Sequence, residues 1–412
     1  MNHKRMGATL GLAACLAAVS LTACTLNESG NISASTTGDV SHPAERGSPL
    51  TPLHEACGAT GELTAQDVTR EPFLQQVTSS SAIVGWRAYS PDGQEVEITT
   101  PDGTPVTTVE GAVEPLKRFD GAEQLWAKVS GLEPDTIYCY TLTDNGTPMT
   151  ERIGFRTAPT ADSERPVRFL VFGDSGAASD DQKALLEQMD EVPHEFMLHT
   201  GDLAYDDGNY AQIRDTVFEI YEKLFRHIPF YPIPGNHDYY TDEGAPFRAS
   251  FNLPNNEKWY SFDWGRVHVA ALDAEQDFAT QAKWLDEDLS RTEQPWKIVM
   301  VHNPMYTSGE HGNDVELRDA IEPILEKHGV QLVLTGHDHH YERVHPQKGI
   351  VHFVTGGGGR GTRALGEASN FTALMDEVIH YLYVEVGVDE MVVHAIDGTG
   401  KEFDSVVIPR ER

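Results

Sequence analysis

The sequence predicts two folded parts: an all-β sandwich over residues 61–160, then a layered α/β domain of βαβαβ type over residues 161–412. Three observations predict it. Turn signals recur between β-rich runs before residue 158. From Val167 apolar strands alternate with helical stretches. Five of those strand ends carry Asp, Asn or His, where an α/β sheet presents its ligand-binding edge. With 412 residues the chain is long enough for two or three domains, and 39% hydrophobic and 9% aromatic residues exclude a mainly disordered chain. Lys plus Arg number 31 against 64 for Asp plus Glu, a net charge of −33, which excludes bulk nucleic-acid binding and reads as a solvated, soluble surface. A local site can still oppose the global sign.

The first segment, residues 1–23, is read as a secretory signal. His3, Lys4 and Arg5 start it, residues 6–21 are almost wholly small or apolar, and Leu21-Thr22-Ala23-Cys24 follows. The apolar run is short for a membrane span. Its end resembles the lipobox of bacterial lipoproteins, which implies that Cys24 becomes the lipidated first residue of an exported cell-envelope protein anchored in a membrane. Residues 24–60 are rich in Ser, Thr, Gly, Asn and Pro, the composition of a flexible tether. With Cys15 removed and Cys24 taken by lipid, Cys57 and Cys139 remain. In an oxidising compartment they can form a disulfide or stay as two thiols.

In the sandwich, Ser81–Tyr89 reads as a strand with Trp86 buried, and Pro91-Asp92-Gly93 and Pro101-Asp102-Gly103 read as turns. The stretch Gly131–Tyr140 is expected to turn into a late strand with Tyr138 as a tyrosine corner. The segment resembles a fibronectin type III domain ending in Gly154–Pro159, and a structural spacer packed on the next domain is the expected role. Pro159–Pro166 is a short polar linker.

In the α/β part, strands are expected at Val167–Phe172, Phe196–His199, Phe230–Ile233, Lys297–Val301 and Val330–Leu334, with helices at Asp181–Met189 and Asn209–Phe225. From Tyr381 to Ile408 alternation returns, with Asp397-Gly398 as a hairpin turn. The informative residues follow the strands: Gly173-Asp174-Ser175-Gly176, Gly201-Asp202 with Tyr205, Gly235-Asn236-His237-Asp238, His302-Asn303, and Gly336-His337-Asp338-His339-His340. One Asp after a strand means little. Five such ends in this order suit two metal ions held by mixed oxygen and nitrogen donors, which favours Fe, Zn or Mn over a thiolate-bound metal. Glycines before four of the five are expected to let the backbone turn and aim the next side chain.

These five motifs resemble those of the metallophosphoesterases and, more narrowly, the purple acid phosphatases. In the broader group the first motif is Asp-x-His; here Gly176 stands at the His position, and Tyr205, four residues after Gly201, stands where the purple acid phosphatases carry a Tyr. Trp259–His268, Trp284–Leu289 and Tyr341-Glu342-Arg343 add to the likeness. It spans about Val167 to Arg410, and the larger members of the family also carry the preceding sandwich. The resemblance implies Fe(3+) held by Asp174, Tyr205, His339 and a bridging Asp202, and a divalent ion (Zn, Fe or Mn) held by Asp202, Asn236, His302 and His337. Ions of +3 and +2 outweigh two carboxylates and a tyrosinate, so a phosphate dianion is drawn in despite the acidic surface. The implied activity is hydrolysis of small phosphate monoesters, an acid phosphatase working through a metal-bound hydroxide. His237 resembles the family's substrate-contacting His, and His311 resembles a proposed general acid, against the alternative of a solvated loop His.

A phosphodiesterase on the same scaffold is the alternative activity, which Tyr205 and the absent first-motif His disfavour. A cell-surface adhesion module is a third reading, which would predict a broken metal site, whereas every expected ligand is present. His199 is read as a buried hydrogen-bonding residue, and His340 as equally suited to a supporting role or none. His268, His328, His352, His380 and His394 are read as structural or exposed. Gly356–Gly359 followed by Arg360 lacks the Lys-Ser/Thr of a nucleotide loop and reads as a tight turn near the site.

Overall fold

The computed structural model describes residues 44–410, without the side chains of residues 115–119. The signal segment 1–23, Cys24 and the tether as far as residue 43 lie outside the described residues. Among the described residues no helix is long and apolar enough to cross a membrane.

Residues 44–60, expected within the tether, are packed instead. Helix α1 (Thr51–Cys57) buries Leu53 and Cys57 and ends at Gly58 in the left-handed region (φ 67°). A disulfide joins Cys57 to Cys139. Upstream, Gly47 N–H donates to Glu191 O and Ser48 Oγ bonds to Asp190 Oδ1. The composition hides this because the segment brings only a few apolar residues and relies on partners far along the chain.

The sandwich comprises β1 (Val68–Gln75), β2 (Ser81–Ala88), β3 (Gln94–Thr99), β4 (Pro105–Glu110), β5 (Ala112–Phe119), β6 (Ala122–Ser130), β7 (Ile137–Asp144), β8 (Thr147–Pro148) and β9 (Ile153–Arg156). One sheet has the order β1-β2-β6-β5, the other β4-β3-β7-β8 with β9 also on β7. Trp86 is fully buried, and Glu133 N–H donates to Tyr138 Oη at 3.0 Å, the bond of a tyrosine corner. Buried polar bonds fix the sandwich to the next domain. Tyr140 Oη donates to Arg226 O (2.8 Å), Gln75 Nε2 to Phe230 O (2.7 Å) and Tyr231 Oη to Val77 O (3.1 Å). Phe73 packs edge-on to Phe218, and the apolar core runs unbroken from one domain into the other.

The second domain opens with β10 (Val167–Phe172), α2 (Asp180–Met189), β11 (Phe196–His199), α3 (Tyr210–Ile213), α4 (Glu219–Phe225) and β12 (Phe230–Pro232). Then come α5 (Asn236–Tyr239), α6 (Ala245–Ser250), β13 (Tyr260–Trp264), β14 (Val267–Ala271), α7 (Phe278–Leu289), β15 (Trp296–Met300), α8 (Val315–His328) and β16 (Leu332–Thr335). It closes with β17 (Tyr341–Gln347), β18 (Ile350–Thr355), β19 (Thr372–Asp376), β20 (His380–Val386), β21 (Glu390–Asp397) and β22 (Glu402–Pro409). The helical run expected over 209–225 is interrupted by a π-helical turn at Arg214–Phe218. There Thr216 Oγ1 lies 2.8 Å from Gln212 O within the helix and 3.0 Å from Leu203 O of the second motif.

Two sheets face each other, β12-β11-β10-β20-β21-β22 and β13-β14-β15-β16-β18-β17-β19. Period-2 alternation explains the layering. On β15, Trp296, Ile298 and Met300 enter the core between the sheets, while Val299 enters a second core with Leu285, Leu289, Leu317 and Ile321 of α7 and α8. On β16, Leu332 and Leu334 point inward and Val333 outward. Strands β10, β11 and β12 are parallel, as are β14, β15, β16 and β18. Their carboxyl ends therefore share one edge of the domain.

Candidate metal centre

Each candidate ligand lies just beyond one of those ends. Asp174 follows β10, Asp202 follows β11, Asn236 follows β12, His302 follows β15, and His337 and His339 follow β16. The left-handed conformation falls on the ligands themselves: Asp174 (φ 55°), Asp202 (φ 57°) and His337 (φ 69°). Such strain in non-glycine residues is sustained where the surroundings over-determine it. The neighbouring glycines serve mainly close approach. A Cβ on Gly201 would come 2.4 Å from His302 Nδ1, and one on Gly336 would come 2.4 Å from Asp174 Oδ2. The expectation that these glycines supply the turn thus holds only in part, since the next residue takes much of it.

The donors converge. Tyr205 Oη lies 2.8 Å from Asp202 Oδ2, 3.1 Å from Asp174 Oδ1 and 3.1 Å from His339 Nε2. His302 Nε2 lies 3.6 Å from Asp202 Oδ2 and 3.3 Å from Asn236 Oδ1. Ligand atoms of Asp174, Asp202 and His302 fall within 4.8 Å of one another, the geometry of a cation-binding group. His302 Nδ1 lies 2.8 Å from Thr200 O, which fixes the ring and leaves Nε2 to the centre. The His337 ring meets His302 edge-on and His311 at a tilt, with ring centres 5.0 and 4.0 Å away. The donor set of carboxylate, phenol, amide and imidazole, without thiolate, fits hard to borderline cations.

The electrostatics are those of a cluster short of positive charge. Burial opposes ionisation of Asp202, but His302 outweighs it and holds the carboxyl well below its usual range. Burial likewise opposes the charge on His302, yet Asp202 raises it to about 10. Burial, then Asp174 and Asp202, push the Tyr205 phenol well above its ordinary value. Burial and the neighbouring His302 and His311 lower His337 to about 3. A cation at this point would relieve the crowding of oxygen donors.

His237 and His311 lie at the rim. His237 Nδ1 is 2.7 Å from Asp206 O, and its ring centre is 4.4 Å from that of Tyr205. His311 Nδ1 is 2.7 Å from Asp338 Oδ1. Asp338 and Asp238 stand within the motifs, but no local signal in the sequence assigns either a role. Asp338 is kept ionised: burial opposes it, and Thr307 and His311 hold it below the usual carboxylate range. Asp238 is fully buried and accepts from Gly235 N–H and Leu203 N–H, locking the third motif to the second. Ser175, in the first motif, lies 2.9 Å from His199 Nε2, so His199 is hydrogen-bonded beneath the site. His340 bonds Glu342 rather than facing the donors. Cys57 and Cys139 lie in the other domain, joined to each other.

Comparison with known proteins agrees with this architecture. Residues 72–157 match the purple acid phosphatase N-terminal domain, and residues 167–341 match the calcineurin-like phosphoesterases. Purple acid phosphatase 18 of Arabidopsis thaliana is 32% identical over 259 residues, covering 56% of this chain and 57% of that protein. Human acid phosphatase type 7 is 30% identical over 241 residues, covering 47% and 54%. The chain thus spans little more than half the length of these relatives. A purple acid phosphatase from yellow lupin (Lupinus luteus) seeds shares the fold, with a TM-score of 0.75 at 20% identity, covering 82% of this chain and 74% of that one. Both domains are matched in order, a purple acid phosphatase N-terminal domain followed by a calcineurin-like phosphoesterase domain, which is the arrangement in which the chain is similar to the purple acid phosphatases.

Proposed function

We propose that this chain is an acid phosphatase that hydrolyses small phosphate monoesters at a dimetal centre. The observation that supports this most is the meeting of Asp174, Asp202, Tyr205, His302 and His339 at one sheet edge. In this reading Asp174, Asp202, Tyr205 and His339 would hold Fe(3+), and Asp202, Asn236, His302 and His337 would hold Zn, Fe or Mn. When bound, the two cations neutralise phosphoryl charge and activate the attacking water.

The protein's own groups do the rest. With Nδ1 directed at Asp206 O, His237 keeps Nε2 for a phosphoryl oxygen. His311 is oriented by the Asp338 carboxylate, and in this reading its Nε2 delivers a proton to the leaving oxygen once the Arg363 guanidinium, 3.0 Å from Nε2, turns to the phosphate. Burial of Asp202 and His302 keeps the donor cluster itself from bulk water. The test is the ratio of aryl phosphate monoester to diester hydrolysis by residues 25–412, loaded with iron and zinc or manganese, at acidic and neutral pH. A strong monoester preference is expected. A diester preference would replace the reading with a phosphodiesterase.

We further propose that Cys24 is lipidated and anchors the protein in the cell envelope. The Leu21–Cys24 pattern supports this. Cys24→Ala is expected to release the protein from the membrane fraction, with the lipid mass absent from its N-terminal peptide; retention of both would overturn the anchor.

A further inference from the structure

We propose that Arg360 and Arg363, on the loop after β18, form a second anion-binding subsite beside the candidate centre, which selects small substrates bearing a second phosphate besides the one cleaved. This rests on the phosphomonoesterase reading and narrows its substrate class.

The loop is built against the cluster. A Cβ on Gly358 would come 2.1 Å from Gly173 O, and one on Gly356 would come 2.9 Å from Asp174 Oδ2. This close passage anchors both arginines by their backbones to candidate ligands. Arg360 N–H donates to Asp174 O at 3.0 Å, and Arg363 N–H donates to His339 O at 3.1 Å. Their side chains then reach different members of the site. The Arg360 guanidinium lies 5.0 Å from the centre of the Tyr205 ring, and Arg363 Nη1 lies 3.0 Å from His311 Nε2.

Each guanidinium has a surface carboxylate as its present partner, Asp206 for Arg360 at 2.9 Å and Glu310 for Arg363. Asp206 and Glu310 are 73% and 63% exposed, so these are solvated pairs of little net worth. An arriving phosphate dianion can displace them, and the planar guanidinium fork matches phosphate oxygens bidentately. On a chain with a net charge of −33, two arginines pinned by the main chain beside the donor cluster are a local exception to the surface field. The backbone hydrogen bonds to Asp174 and His339 persist whatever the side chain, so a Gln variant alters only the contacts of the Arg360 guanidinium with the Tyr205 ring and of Arg363 with His311.

The test compares fructose 1,6-bisphosphate with fructose 6-phosphate on the metal-loaded protein, in the wild type and in Arg360→Gln, Arg363→Gln and the double variant. Side chains 41% and 35% exposed allow these variants to fold. The wild type is expected to favour the bisphosphate by about 10-fold or more in kcat/KM, mostly through KM. Each single variant should lose part of that ratio, and the double variant nearly all of it. A wild-type ratio within twofold of one, or a ratio unchanged in the double variant, would overturn the subsite. If neither sugar is turned over, the aryl phosphate assay decides the phosphatase reading separately: loss of that activity too would sink it. Calorimetric binding of the same two sugars then decides the subsite alone: tighter bisphosphate binding that the double variant loses supports it, and equal binding overturns it.

Discussion

Two clusters of buried histidine with carboxylates lie in the same α/β domain, and they follow opposite rules. Around His268, Nδ1 lies 2.7 Å from Asp263 Oδ1 and Nε2 lies 2.9 Å from Asp288 Oδ2. Burial opposes its charge, but the two carboxylates outweigh burial and raise the imidazole to about 9. Ser261 Oγ completes Asp288. Each ring nitrogen has its own carboxylate. At the strand ends, by contrast, Asp174, Asp202 and Tyr205 turn oxygens toward one another, while His302 is raised and His337 is lowered. The first arrangement is satisfied by its own atoms and holds β13, β14 and α7 together. The second has more donors aimed at one point than protons can serve, and three of its candidate ligands, Asp174, Asp202 and His337, sit in left-handed backbone. Buried polar groups near His are therefore not alike: closure marks structure, and unrelieved convergence marks a cation site.

The comparison breaks most decisively at Asp202. Asp202→Ala is expected to lower kcat/KM for an aryl phosphate by on the order of 10³-fold and to lose bound metal. Metal analysis and kinetics that found both ions and normal turnover would sink the assignment. Next, Tyr205→Phe in iron-loaded protein is expected to lose the visible absorption band of an iron–tyrosinate; an unchanged band would move that ligand elsewhere. Smaller still is the effect of Asp338→Asn, which should cut kcat roughly 10- to 100-fold by releasing His311. His311→Ala should do the same, and the double variant should add little, because the two act as a unit. Additive losses would separate them.

The smallest effect on activity is expected at His268. His268→Gln should leave turnover unchanged and cost about 3 kcal/mol of stability at most near pH 6. The folded pKa of about 9 lies above the unfolded value of 6.5, so this stabilisation is complete below about pH 6 and is lost as pH rises through 9. Thermal melts of both proteins at pH 6 and pH 10 check it; a gap in Tm that persisted at pH 10 would show that packing, not charge, is at stake.

Much of this was legible in the residues. The strand from Phe196 to His199 and the helix near Asp181–Met189 are local patterns of apolar spacing, and the structure adds Ser179 as the helix N-cap, its side chain accepting from Gln182 N–H. The donors at the strand ends were legible because each motif is short and follows its strand directly. Other features were not. The packing of residues 44–60 depends on Asp190, Glu191 and the sandwich, far away in sequence. The roles of Asp238 and Asp338 depend on Leu203 and His311, in other loops. The contact between the π-helical turn at Arg214–Phe218 and Leu203 is one that no helical periodicity encodes.

By itself, then, the sequence determined which segments become strands, which residues end them, and which donor types are available at those ends. These are consequences of side-chain alternation and of turn chemistry within a few residues. Only the tertiary structure decided which donors meet. β20 enters beside β10 from more than 200 residues downstream and pairs antiparallel, completing a sheet no local signal orders. The loop after β18 brings Arg360 to Asp174, and the left-handed turns at Asp174, Asp202 and His337 are held by neighbours from other strands. Distances between loops are set by how two twisted sheets pack, and that is a property of the whole core rather than of any window of the chain.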